Sequence, residues 1–249
     1  IATASMVQAL ATSTDLTIYA LDSDASGVLE TVPGGTVRRF GLSCRRPRNF
    51  MNFLRSLVRN LPMAPFRNWH PAAQDWLDQH APDFDLIMTD HLIPMVYYRK
   101  TMPPAILVEQ NAEFSLWERA AAVHARWYLR PLLAFEAARM RAFEQRACRA
   151  ARTVVTLTPE DAALLSPLAA STPVEVIPPC ILSAPLQGFT PPSPPSGKRF
   201  LFVGTLSWEP NSDGLLWFTR EIWPQVLLRH PDATLDVVGR GLPAAAHAK

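Results

Sequence analysis

Long apolar runs are missing from this chain. It is 48% hydrophobic, yet no stretch approaches the ~20 consecutive apolar residues that a bilayer-spanning helix requires. Cysteine is nearly absent too. Cys44, Cys148 and Cys180 are odd in number, far apart and without C-x-x-C spacing, which argues against a disulfide framework or a zinc site and suits a reducing cytosol. The opening Ile1-Ala2-Thr3-Ala4-Ser5 has neither an initiating Met nor a charged n-region, so it reads as the middle of a helix rather than a signal peptide. Strong net charge is lacking as well. At +2 the chain as a whole is no polyanion binder, and no nucleic-acid partner is expected.

One absence is local. No acidic residue lies between Glu30 and Asp75, while Arg38, Arg39, Arg45, Arg46, Arg48, Arg55, Arg59 and Arg67 all fall there. Phe50, Phe53, Leu54, Leu57, Val58 and Leu61 interleave with them at helical spacing. Such a segment either packs its apolar side on the core and solvates its arginines, or lies on an anionic membrane surface through residues 38–67. Packing on the core is the more common arrangement.

What the chain does contain is an alternation of short apolar runs with helical stretches. Strands are expected at Leu16–Leu21, Thr36–Phe40, Asp85–Thr89, Ala105–Glu109, Thr153–Leu157 and Val174–Ile177. Helices are expected near Phe50–Asn60, Pro71–Gln79, Glu113–Leu129 and Pro131–Ala151, with Pro131 either breaking a longer run or opening a new helix in its first turn. Apolar strands separated by helices imply a parallel sheet covered on both faces, an α/β fold. Residues 178–197 (PPCILSAPLQGFTPPSPPSG) are dense in proline, which excludes a regular helix or central strand and marks a linker. The pattern then restarts: Arg199–Val203, a helix from about Asp213 to Leu228 capped by Asn211–Asp213, and Thr234–Val238. The expected organisation is an N-terminal domain at 1–177, a linker at 178–197, and the opening of a second doubly wound domain at 198–249. About fifty residues are too few to close a core, so the chain is expected to stop mid-domain.

In open parallel sheets ligands gather at the carboxyl ends of the strands. Three strand ends carry suitable residues. Thr89-Asp90-His91 places an imidazole beside a carboxylate that could orient it. Gln110, Asn111 and Glu113 follow AILVE. Gly204-Thr205 and Gly239-Arg240-Gly241 end the two strands of the second domain, where glycines let main-chain amides approach an anion and Arg240 could grip a phosphate. Glu136, on the apolar stripe of Leu133, Met140, Phe143 and Ala147, reads as an edge residue or an arginine partner rather than a catalytic group. There is no G-x-G-x-x-G, no G-x-x-x-x-G-K-[ST] and no G-x-S-x-G, so dinucleotide, P-loop and hydrolase signatures are missing.

These residues also carry a resemblance. VVTLTPEDAALL (154–165), VEVIPP (174–179), FLFVGTLSWEPNSDGLLWFTREIWP (200–224) and LDVVGRG (235–241) resemble the group-1 (family 4) GT-B glycosyltransferases, in particular a bacterial subgroup with a G-[ST]-[LM]-x-W-x-P-N-x-D segment. ILVEQNAEFSLWERAA (106–121) and FEQRACRAARTVVTLTPED (143–161) are similar to the same subgroup. The resemblance implies two facing Rossmann-like doubly wound domains, the second truncated here, and transfer of a sugar from a nucleotide-diphosphate donor to a carbohydrate or lipid-linked acceptor. It also implies retention of configuration, with no cofactor and no obligatory metal. It places the donor near Gly204, Thr205, Asn211, Gly239, Arg240 and Gly241, and the acceptor near His91, Gln110, Asn111 and Glu113. With the cysteine usage it leads to the expectation of a cytoplasmic enzyme of cell-envelope polysaccharide biosynthesis; peripheral contact at the inner face of the membrane, through residues 38–67, is expected from the charge run alone.

The chain departs from the pattern at several points. Gln110 stands where many members have a histidine, Asp213-Gly214 stands where many have Lys-Gly, and Cys180-Ile181-Leu182 replaces Asn-Gly or Gly-Val-Asp. The glycine-rich first strand and the E-x(7)-E motif would lie outside residues 1–249, so this polypeptide alone is expected to be inactive. A sugar-nucleotide epimerase of the same architecture and a non-catalytic binding or scaffold protein derived from a transferase are the alternative readings.

Overall fold

The computed structural model describes residues 2–21, 25–32, 35–43, 46–123, 126–179, 190, 197–207 and 209–241. The proline-dense segment lies almost entirely outside these residues, as do Arg45, Trp208, Cys44 and Cys180-Ile181-Leu182. The chain divides into two compact units, Ile1–Ser183 and Ala184–Lys249. It is a mixed α/β protein built around parallel strands.

The first unit holds two sheets. The larger runs β4 (Ile87–Asp90), β5 (Ala105–Glu109), β6 (Thr153–Thr156) and β7 (Val174–Val176), all parallel and in sequential order. The smaller has the order β1 (Thr17–Ala20), β3 (Gly35–Gly41), β2 (Ala25–Val32), with β1 parallel and β2 antiparallel to β3. The expectation of one parallel sheet is therefore corrected. The Leu16–Leu21 and Thr36–Phe40 strands join a hairpin partner, ASGVLETV, that sequence patterning misses because it lacks alternation of buried and exposed positions (Val28, Leu29, Glu30 and Thr31 are all exposed). Trp76 of α4 (Pro71–His80) packs against Tyr19 and Phe40, 4.6 and 4.7 Å between ring centroids, and so ties α4 to this sheet. Sequential order also means that, among the described residues, no reversal of strand order marks a switch point in the larger sheet.

Local chemistry explains the connections. Pro94, Pro103 and Pro104 keep the β4–β5 crossing from forming an α-helix, and it makes only a 3-10 turn, Ile93–Val96. Between β5 and β6 lie α5 (Glu113–Val123) and α6 (Arg130–Ala150). The helix expected to run to Leu129 ends at Val123, and Trp127–Leu129 is a separate 3-10 turn. Pro131 sits in the first turn of α6, where its missing N–H breaks no helical bond. Between β6 and β7, α7 (Pro159–Ala169) is opened by Thr158, whose hydroxyl accepts from the amide of Asp161 while donating to the Asp161 carboxylate. The core beneath the larger sheet gathers Leu92, Leu107, Met140, Phe143, Val154 and Leu165.

Two helices, α2 (Phe50–Val58) and α3 (Met63–Asn68), are fastened to α6 by polar groups. Arg139 donates to the Ser56 carbonyl at 3.0 Å and to the Leu61 carbonyl, and pairs with Glu136. Glu136 also accepts from the Met63 amide at 2.8 Å. Glu136 is thus an arginine partner that anchors a helix pair. Arg139→Ala is expected to destabilise the protein by about 3–5 kcal/mol, because it strands a buried carboxylate and two carbonyls. Urea unfolding would measure this, and a loss below 1 kcal/mol would contradict the anchoring role.

The second unit contains β8 (Arg199–Val203) and β9 (Thr234–Val238), parallel and paired from Arg199↔Thr234 to Val203↔Val238. Its helix starts earlier than expected. α8 (Glu209–Trp217) opens around Pro210, whose fixed φ suits the first turn, so Asn211 lies inside the helix instead of capping it. Nor does the helix run on regularly to Leu228. Phe218–Ile222 forms a π-helical turn before α9 (Trp223–Arg229), where Pro224 supplies no amide to the helical ladder.

Candidate functional site

Because β4, β5 and β6 run parallel, their carboxyl ends share one edge, and that edge collects the polar groups of the first unit. His91 follows β4 directly. Its amide donates to the Val108 carbonyl at 2.8 Å, and its φ is +89°, a backbone conformation costly for a residue with a Cβ. Such strain persists where surrounding contacts over-determine it, and functional sites are where it clusters. Here the contact is Glu113, at the start of α5: His91 Nε2 lies 3.1 Å from Glu113 Oε1. Nδ1 faces the Ile93 amide at a long 3.5 Å. The Glu113 bond places the ring proton on Nε2 and leaves the Nδ1 lone pair as the basic position. Hydrogen bonding to Glu113 raises the imidazole pKa against the lowering effect of burial, helped by the charges of Glu113, Asp90 and Glu144.

The carboxylate that orients His91 is therefore Glu113, not its neighbour Asp90 as the sequence suggested. Asp90 accepts from the Gln110 side-chain amide at 2.9 Å and from the Thr3 hydroxyl at 2.6 Å. The structure thus brings His91, Gln110 and Glu113 together with Asp90, and leaves Asn111 exposed on the same edge.

Beneath this edge lies a carboxyl cluster that sequence reasoning missed. The Glu144 side chain accepts from the amides of Glu113 and Phe114 at 2.9 and 2.8 Å, and Asp161 accepts from the Ala112 amide at 2.8 Å. The otherwise unsatisfied amides opening α5 are thereby met by anions from α6 and α7, which favourably oppose the positive end of the helix dipole. This is what holds Glu113 in place. Burial nonetheless pushes the Glu144 carboxyl up to about 7, against the lowering effect of the two amide bonds. Glu109 is wholly buried, and neither of its oxygens has a partner among the described residues. Desolvation, then the charges of Glu144, Glu113 and Asp161, raise its pKa well above the usual 4.5, so burial favours its neutral form. The same burial raises the Cys148 thiol. One signal pointed to Glu144: it sits between Met140 and Ala147 on the buried side of α6.

These shifts share a sign. Glu109, Glu144 and His91 all have folded pKa values above their unfolded ones, so between those values the native state binds more protons than the unfolded state. For the carboxyls, this stability is complete below about pH 4.5 and declines as pH rises, towards about 7 for Glu144. Each contributes a slope of about 1.4 kcal/mol per pH unit inside its window. Glu109→Gln is expected to flatten the fall in melting temperature as pH rises above about 4.5. An unchanged slope in thermal melts would show that Glu109 is ionised in the folded protein.

In the second unit the two glycine turns touch. The Gly204 amide donates to the Val238 carbonyl at 3.0 Å and the Leu206 amide to the Arg240 carbonyl at 2.8 Å. The expectation that the Gly204 amide is open to an anion is corrected: it continues the β8–β9 ladder. Thr205, between them, is exposed, and its carbonyl accepts from the Asn211 side chain at 3.1 Å. A Cβ on Gly239 would stand 1.8 Å from the Gly204 carbonyl oxygen, and Gly241 has φ +77° with Ser207 Cβ only 2.7 Å from where its own Cβ would sit. Close packing of the two turns is thus sufficient reason for these glycines. Arg240 is exposed beside them.

No protein-family model matches the chain, and no curated protein matches it. An open apolar hollow of about 760 Å³ lies between α5 and α6, but its one carboxylate, Glu118, already pairs with Arg141 at 3.3 Å. Among the described residues no group of histidine, cysteine and acidic side chains could hold a metal ion. The sheet edge around His91 is the place where a base, its orienting carboxylate and uncharged hydrogen-bonding groups converge.

Proposed function

We propose that the chain belongs to a GT-B glycosyltransferase that moves a sugar from a nucleoside diphosphate donor to an acceptor with retention. The observation that carries this reading is the His91–Glu113 pair at the carboxyl edge of a parallel sheet, the side on which α/β folds take ligands. The resemblance described above supports it, as does a second unit that opens as strand, helix, parallel strand.

In the proposed reaction the acceptor hydroxyl attacks the anomeric carbon on the same face that the diphosphate leaves, and the bond from that carbon to the diphosphate oxygen breaks, which keeps the configuration. The hydroxyl proton passes to Nδ1 of His91, and Glu113 stabilises the imidazolium. Gln110 and Asn111 bond sugar or acceptor hydroxyls. Within the second unit, the resemblance assigns binding of the nucleoside diphosphate to Arg240 and the turn at Thr205, the arginine supplying the matching charge. Titration of UDP- and GDP-sugars by calorimetry, followed by a transfer assay on positive donors, tests the reading. Binding of at least one nucleotide sugar is expected, and binding of none would reject it.

The occupied Gly204 amide and Asp213-Gly214 favour a second reading, a binding or scaffold protein derived from a transferase. Nucleotide-sugar binding followed by turnover would exclude it.

A further inference from the structure

The helix α2 is mounted with its polarity reversed. The residues it buries are Asn52 and Ser56, 5% and 0% exposed, whereas Phe50 is 72% and Val58 88% exposed, with Leu54 open between them. The inward face is held by hydrogen bonds. Asn52 donates to the Pro47 carbonyl at 3.0 Å, and Arg139 donates to the Ser56 carbonyl at 3.0 Å. This overturns the expectation that an amphipathic helix here would pack its apolar side on the core. On α6, Leu132 and Phe135 are also exposed, on the same stripe as Arg139, whose guanidinium lies 5.5 Å from the Phe135 ring centroid. Clustered exposed side chains of this size mark an interaction surface.

Its charge identifies the partner. No acidic residue occurs from Thr31 to Gln74. Several arginines of this stretch serve the fold: Arg46 lies over the Phe66 and Trp69 rings, Arg59 stacks on Trp69 at 3.9 Å, and Arg67 donates to the Arg46 carbonyl. Arg48 and Arg55 are exposed, one just before α2 and the other on it. An apolar helix face flanked by cations and free of acids is the pattern of a helix lying in the plane of an anionic lipid interface.

Among the described residues no helix is long and apolar enough to cross a membrane. We propose that the outward face of α2 docks the protein on an anionic bilayer surface. Phe50, Leu54 and Val58 enter the acyl boundary, and Arg48 and Arg55 meet lipid phosphates. This surface is independent of the His91 edge and requires no transferase activity.

Co-sedimentation of the full chain with vesicles of phosphatidylcholine alone, and with about one third phosphatidylglycerol, tests it. Partitioning is expected onto the anionic vesicles only, weakening as salt rises. The pair F50S/V58S should lower partitioning about tenfold with an unchanged thermal melt, since both side chains are already in solvent. The pair R48E/R55E should lower it roughly 25-fold or more, at about fivefold per arginine. L228S, at an exposed residue of the second unit, is the control and should change nothing. Equal binding to both vesicle types, no binding at all, or F50S/V58S binding like the parent each overturns the proposal. So does sedimentation of the vesicle-free parent as a dimer that F50S/V58S dissociates, because the face would then belong to a second copy.

Discussion

In any form of the protein that transfers sugar, His91→Asn is expected to lower turnover by roughly 100- to 10,000-fold, the range that loss of a positioned acid–base group costs, while leaving the fold intact. The reason is that this substitution separates the imidazole from the backbone it sits on. At φ +89° most side chains are strained, but asparagine is among the few residues that visit positive φ readily. The amide at position 91 would still donate to the Val108 carbonyl, extending the β4–β5 pairing. Stability should therefore change by less than about 1 kcal/mol.

Glu113→Gln supplies the complementary result. It preserves a hydrogen-bond acceptor for Nε2 but removes the charge, so the imidazole loses the upward pull of the Glu113 carboxylate charge. The limb of the pH–rate profile that reports deprotonation of the base should move to lower pH. A His91→Asn protein that turns over within a few-fold of the parent would remove the imidazole from the chemistry.

Gly239→Ala should have the largest structural effect. The added methyl would lie 1.8 Å from the Gly204 carbonyl oxygen. That atom is backbone, and the adjoining ladder holds it through the Gly204 amide bond to Val238, so no side-chain rotation relieves the clash. The turns after β8 and β9 must separate, which costs the β8–β9 register at its carboxyl end. Hydrogen exchange reads the damage residue by residue. The amides of Gly204 and Leu206, which donate to Val238 and Arg240, should lose about 100-fold or more of their protection, equivalent to about 3 kcal/mol. The His91 and Arg152 amides, bonded to Val108 and Ala105 in the first unit, should keep theirs. Unchanged protection at Gly204 would mean that the turns can part without cost. Nucleotide-sugar binding, if the proposed site stands, should fall with the loss of the turn.

Sequence pattern alone located most elements of the larger sheet. AILVE is β5 to the residue, and TVVT and VEV are β6 and β7, because continuous apolar runs between turn residues have few conformations open to them. Pro131 at the head of α6 was equally legible, since proline excludes most helix positions by itself. Where alternation was weak or a partner distant, pattern failed. The strand Ala25–Val32 depends on its hairpin mate, and α8 starts at Glu209 rather than further along, at the favourable caps Asn211 and Asp213.

The candidate site divides in the same way. That His91, Gln110 and Glu113 belong near a ligand-binding edge follows from residue type and position after a strand. That Glu113 rather than adjacent Asp90 holds the imidazole does not follow, because side chains at successive positions after a strand diverge while the start of α5 returns to the same edge. Glu144 and Asp161 reach that edge from 31 and 49 residues away. Linear order therefore determined which residues could form strands, helices and the polar edge. Three-dimensional packing alone decided which carboxylate meets which donor, and which face of α2 points to solvent. Hydrogen bonds and burial depend on distance in space, and across such separations a chain of this length leaves that distance undetermined until it folds.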